Sequence, residues 1–125
     1  MRKTLLDKEY FALDLEDGIL MGKWKIAQID IDIAKKVLAQ RLIAQNGNTY
    51  PLVINISSVR NSTKEARDLL ASKKGCEGIS MAAILIDSIV GRMLGTFFMY
   101  VHKPLIPSKI FTDEKEAKKW LNQFV

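Results

Sequence analysis

Pro51-Leu52-Val53-Ile54-Asn55-Ile56-Ser57-Ser58-Val59-Arg60-Asn61-Ser62-Thr63-Lys64-Glu65-Ala66-Arg67-Asp68-Leu69-Leu70 reads as a buried strand, a short polar loop and a capped helix. Apart from Asn55, residues 52–56 are apolar and mostly β-branched, the composition of a middle strand in a sheet covered on both faces. Asn55 stands toward the strand end at which α/β sheets carry their working loops. Ser62-Thr63-Lys64-Glu65 has the Ser-x-x-Glu spacing of a capping box, which starts the helix at Ser62. A helix N-terminus favours negative charge through its free N–H groups and its dipole. A phosphate on Ser62 or Thr63 would be stabilised there, or would repel a partner fitted to the unmodified surface. Asn55, Ser57, Ser58, Arg60 and Asn61 make up the candidate interaction loop between strand and helix.

Upstream, residues 9–15 alternate well enough for a strand, Asp17-Gly18 signals a tight turn, and residues 19–25 form a second strand. Together they predict an antiparallel hairpin, with Gly22 marking a bulge or a close backbone approach. Asp30 caps a first helix that runs to about Gln45 and stops at Asn46-Gly47. Downstream, Gly75 and Gly78 close the second helix. Residues 81–86 are a continuous apolar run and predict a strand covered on both faces. Asp87 or Ser88 caps a third helix, Ile89 to about His102. Pro104 and Pro107 bound a loop, residues 109–111 form a short strand, and a last helix buries Ala117, Trp120, Leu121 and Phe124. The order β-β-α-β-α-β-α-β-α predicts an α/β fold with a largely parallel mixed sheet covered by helices, in one domain spanning residues 1–125.

Composition narrows the function. The chain has 125 residues, 48% of them hydrophobic and 26% charged, as in ordinary globular proteins. No apolar run is long enough to span a bilayer, and the first residues lack a secretory apolar core, so a cytoplasmic protein is expected. One cysteine, Cys76, permits no internal disulfide, and one histidine, His102, permits no His-rich metal site. The net charge of +5 is spread over scattered basic residues that form no stripe, and no nucleic-acid motif appears, so no nucleic-acid partner is expected. No phosphate-cradling glycine loop is present. A Cys76–His102 dyad has no supporting spacing, oxyanion motif or third partner. A non-enzymatic chain with no cofactor and no metal is expected.

The chain resembles a STAS-type domain, the SpoIIAA-like fold of anti-sigma-factor antagonists and sulfate-transporter tails. It is more closely similar to small bacterial STAS/SEC14-like proteins. The resemblance is carried by residues 51–59, by Gly95-Thr96-Phe97-Phe98, by Lys103-Pro104 with Pro107, and by residues 110–117 with Trp120-Leu121. It implies a regulatory module acting by protein–protein contact, with a kinase or an anti-sigma-like regulator as partner. In antagonist STAS domains the strand ends in Asp and the helix starts with a phosphorylated Ser followed by Gly. Here Asn55 stands at the Asp position, Ser62 or Thr63 at or beside the phosphorylated one, and Lys64-Glu65 replaces the glycine.

The third helix supports an alternative. It is apolar nearly all round, and Met93, Phe97, Phe98 and Met99 are large, adaptable side chains. They form a candidate surface for a homodimer or for an apolar ligand or lipid in a SEC14-like pocket. Gly91 and Gly95, four residues apart, make a smooth stripe that lets another backbone approach.

Overall fold

A computed structural model describes residues 1–123. Phe124, expected on the buried face of the last helix, lies outside the described residues. The chain runs β1 (Arg2–Asp7), β2 (Phe11–Glu16), β3 (Ile19–Trp24), β4 (Gln28–Ile29), α1 (Ile31–Gln45), β5 (Tyr50–Asn55), β6 (Asn61–Ser62), α2 (Lys64–Ala71), β7 (Ile79–Leu85), α3 (Ile89–Phe97), a π-helical turn Phe98–His102, β8 (Ser108–Phe111) and α4 (Glu114–Asn122). Among the described residues, one sheet has the order β1-β2-β3-β5-β7-β8. β1, β2 and β3 are antiparallel neighbours, and β3, β5, β7 and β8 run parallel. The expected α/β architecture is therefore correct, with β5 inside the sheet between β3 and β7.

Three strands were absent from that expectation. β1 has charged residues at both ends and a register shift between Thr4 and Leu6, which breaks its two-residue alternation. Such polarity suits an outer strand, whose free edge must not recruit another chain. β4 and β6 are two residues each and form a separate parallel ladder, Gln28 with Asn61 and Ile29 with Ser62. The Asp17-Gly18 turn has φ +52° and +80°, the left-handed pair that a two-residue hairpin requires.

The small ladder changes the reading of the central stretch. Thr63 N donates to Ile29 O at 3.0 Å, so the backbone stays extended through Ser62. The helix then starts one residue late, and Thr63 Oγ1 caps it by accepting from Ala66 N at 3.2 Å. The Ser62–Glu65 capping box is not formed. Ser62 N is already bonded to the Asn61 side chain at 2.9 Å. The other caps are Asp30 on Ile33 N at 2.9 Å, Ser88 rather than Asp87 on Gly91 N at 3.0 Å, and Asp113 on Lys115 N at 3.2 Å.

Each face of the sheet has its own core. On one face α4 packs Ala117 and Leu121, both fully buried, against Ile19, Met21, Val53, Met81 and Ala83. On the other, Phe11, Leu13, Leu20 and Trp24 meet Ala34 and Val37 of α1, Val59 of the loop and Ala66 of α2. Gly22 belongs to this second face. A Cβ there would come within 3.0 Å of Ile54 Cδ1 and 3.2 Å of Phe11 Cζ, so Gly22 makes room for two side chains, and neither the expected bulge nor a close backbone approach is found there. Gly91 and Gly95 also point inward. Their missing side chains let α3 lie against Ile84, Ile86 and Ile110, and no foreign backbone is needed to explain them.

Candidate functional site

Side chains alternate across a strand, so the residues flanking Val53 on β5 belong to the helix-rich face. Val53 is 1% exposed. Leu52, Ile54 and Ile56, apolar and next to the middle of the same sheet, are only half-buried. They border a cavity of about 170 Å³ between the sheet and α1, α2 and α3. Ala82 and Ile84 of β7 extend its floor. Val37 and Leu38 of α1, Leu70 of α2, and Leu94 and Phe98 from α3 and the turn beyond it close it. The gap has a local cause. α2 is eight residues long and buries only two alanines, Ala66 and Ala71. α3 turns its two glycines to the sheet. Neither helix sends in enough volume to fill the space.

Polar groups stand at two places on this wall. Arg41 of α1 is 6% exposed and donates to Gln45 Oε1, to Glu77 O at 3.0 Å and to Gly75 O at 3.1 Å. It ties α1 to the turn after α2, and burial pulls its pKa below the usual arginine value. Arg67 of α2 and Ser62 line the cavity elsewhere. Arg67 Nη1 donates to Ser62 O and to Ser62 Oγ, the latter at 3.0 Å. Arg67 Nε donates to His102 Nε2 at 2.9 Å. An arginine can only donate, so the His102 proton is on Nδ1, which donates to Asp68 Oδ1 at 2.8 Å. Lys64 holds the other Asp68 oxygen at 2.8 Å. Lys64 first, and then His102, keep the Asp68 carboxyl below the ordinary carboxylate range. Phe97 lies under the guanidinium, 5.0 Å from ring centre to Cζ.

The expected site residues are thus divided. Asn55 Oδ1 accepts from Ser57 N at 2.8 Å and Ser57 Oγ at 2.6 Å, an Asx turn that ends β5. Ser58 is half-buried in the same loop. Arg60 folds back onto Ser57 O at 2.8 Å, and Arg60 N and Asn61 N both donate to Ala27 O. Thr63 spends its hydroxyl as a cap, whereas Ser62 faces the cavity beside Arg67. Met93 is 66% and Phe97 45% exposed, Met99 is half-buried, and Phe98 lines the cavity. His102 uses both ring nitrogens on α2, while Cys76 Sγ sits against Leu70 O and Ala71 O. Arg67, Asp68 and Arg41 did not stand out in the sequence as cavity or network residues. A basic residue among apolar positions of a short helix was the available signal. No group of three or more side chains suited to a metal ion is present among the described residues. No described helix is long and apolar enough to cross a membrane.

A family model described as a domain of unknown function, DUF7793, matches residues 13–125. The chain belongs to the DUF7793 family. No curated protein matches this sequence. Among solved structures, the DUF7793 chain is similar to an uncharacterized protein of the DUF3478 family with a SpoIIAA-like fold from Shewanella loihica PV-4. The TM-score is 0.67 at 16% identity, over 93% of this chain and 97% of that one. That likeness gives this DUF7793 protein the SpoIIAA-like fold. A protein of unknown function from Arthrobacter sp. FB24 aligns at 26% identity over 88% and 97% of the two chains, with a TM-score of 0.34.

Proposed function

We propose that this DUF7793 protein is a non-enzymatic binding module that holds a small apolar ligand between its sheet and helices α1 to α3. One observation carries the reading. The two faces of a central strand are unequally filled, with Val53 sealed under α4 and Leu52, Ile54 and Ile56 bordering an apolar cavity of about 170 Å³. Interiors normally pack without voids of that size, and apolar cavities of about 150 Å³ are known to take up benzene. The π-helical turn that supplies Phe98 and His102 fits the same reading, because such turns are frequent at functional sites. The test is native mass spectrometry of gently purified protein, followed by a 1-octanol titration of the stripped protein. A bound small molecule, or saturable octanol binding, is the expected result. A single apo mass with no saturable binding would remove the proposal.

A second reading, regulatory contact of the STAS kind, draws on the outer face of α3 and the turn after it. Ile89, Val90, Met93, Phe97, Tyr100 and Val101 are all exposed there, and no acidic residue occurs between Asp87 and Asp113. Such a patch suits a protein partner or a second copy of the chain. A phosphate on Ser62 would meet Arg67, and one on Thr63 would replace a helix cap. Light scattering of wild type and Met93→Glu tests the dimer, and partner capture with Ser62→Asp and Thr63→Asp tests the switch. A monomer whose acidic forms keep every wild-type partner would sink this reading.

A further inference from the structure

The polar groups of the cavity wall carry chemistry that an apolar ligand alone leaves unused, and a role for that chemistry rests on the cavity being a ligand site. Arg41 and Arg67 are both part of the wall, and no Asp or Glu is. Neither arginine lies within ion-pair distance of a carboxylate among the described residues. The nearest acid in sequence to the Arg41 contacts, Glu77, pairs with Lys74 at 3.4 Å. Carbonyl oxygens satisfy the N–H groups of Arg41 without cancelling its charge. The Glu77 charge still favours the Arg41 cation from beyond ion-pair distance, whereas half-buried Arg67 lines the cavity with no carboxylate in the wall beside it.

The two arginines differ in what they have left to offer. Arg41 is committed to Gln45 and two peptide carbonyls. Arg67 spends Nε on His102 and Nη1 on Ser62, while its Nη2 donates to no described residue. The Ser62 hydroxyl accepts from Arg67, and its own hydrogen has no acceptor among the described residues. Two unspent donor groups therefore belong to adjacent, directly bonded side chains at the cavity wall. The guanidinium is held by His102 on one edge and lies over Phe97, so it is ordered before a ligand arrives. Two donor groups match the two oxygens of a carboxylate, and a guanidinium favours that planar partner.

We propose that the ligand is a small carboxylic acid with an apolar body, its carboxylate bound by Arg67 Nη2 and the Ser62 hydroxyl and its body lying against Leu52, Ile54 and Phe98. A cavity of about 170 Å³ has room for roughly six to eight carbons of that body, by comparison with the benzene-sized void. A medium-chain fatty acid or an aromatic carboxylate meets the description.

The test compares octanoate with 1-octanol on the full chain, by calorimetry at pH 7.5 and below micellar concentration. Wild type should bind octanoate about 10- to 100-fold more tightly, the range for hydrogen bonds to a charged group. Arg67→Met should abolish the preference, and Ser62→Ala should reduce it several-fold. Arg67 also ties α2 to the π-helical turn, so a wild-type measurement stands beside the variants. Arg67 side-chain nitrogen resonances should shift with octanoate and stay in place with octanol. Equal affinity for both ligands in wild type, or unmoved Arg67 resonances with octanoate bound, would overturn the carboxylate while leaving the cavity reading intact. Binding of neither ligand would overturn both.

Discussion

Leu121 and Leu52 carry the same side chain in two different settings. Leu121 is fully buried in the α4 core, so Leu121→Ala should cost about 2–5 kcal/mol. Leu52 already borders empty space, and Leu52→Ala should fall at or below the lower end of that range, near about 2 kcal/mol. Urea unfolding of both variants checks this, and equal costs would mean that the space beside β5 is packed. The neighbouring hydroxyls make a similar pair. Thr63→Ala should cost about 1 kcal/mol as a lost cap, and Ser62→Ala about 0.5 kcal/mol or less. At this scale the sequence was informative about chemistry and off by one position. Ser62 and Thr63 both offer a capping oxygen, and Ser62-x-x-Glu65 fits the capping pattern better. What decides between them is the two-residue ladder to Gln28 and Ile29, a long-range pairing that leaves no local trace.

Elements were legible where periodicity was strong. The hairpin tip at Asp17-Gly18, the apolar run in β7, and α1 with its Asp30 cap follow from local pattern alone. β1 was missed because a bulge breaks its alternation and an outer strand keeps its charges. The π-helical turn could not be seen either, since its apolar composition fits an ordinary helix equally well. The small residues of α2 and α3 were visible one by one. Their joint consequence, an unfilled space, appears only when both helices lie over the same strands. The turn after α2 offers a test at this scale. A Cβ on Gly75 would lie 2.1 Å from Leu69 O, a backbone atom that cannot swing aside. Gly75→Ala should therefore cost about 2–3 kcal/mol, read as a lowered midpoint in chemical unfolding. It should also loosen the Arg41 contact to Gly75 O. An unchanged midpoint would mean that the turn is not held as described.

Across the whole molecule, Glu16 joins the outer strands to α4. It pairs with Arg2 of β1 at 2.6 Å and with Lys118 of α4 at 3.0 Å. The hydrogen bond from Lys118, and then that from Arg2, holds its carboxyl below the ordinary glutamate value. A lowered pKa in the folded state adds stability that is present above the unfolded value and lost as pH falls through the folded one. Wild type should therefore melt above Glu16→Gln at pH 7, and the two should converge as the pH falls through the lowered folded-state value. A gap that persists in acid would assign the effect to packing.

The four helices, five of the eight strands and the mixed sheet were readable from local pattern and order, and the SpoIIAA-like fold followed from the family resemblance. Of the cavity wall, Ser62 and Phe98 were among the residues singled out in the chain, and the rest was not, because the cavity is a shortage of volume shared among separate segments. An apolar ligand seated beside β5 has a direct test. Methyl groups of Leu52, Ile54 and Ile56 can be followed by 13C NMR while 1-octanol is added to the stripped protein. Saturable shifts at those methyls, with the α4-side Val53 and Leu121 methyls unmoved, are predicted. Shifts confined to Ile89 and Met93 on the outer face of α3, or no saturable shift at all, would contradict the account.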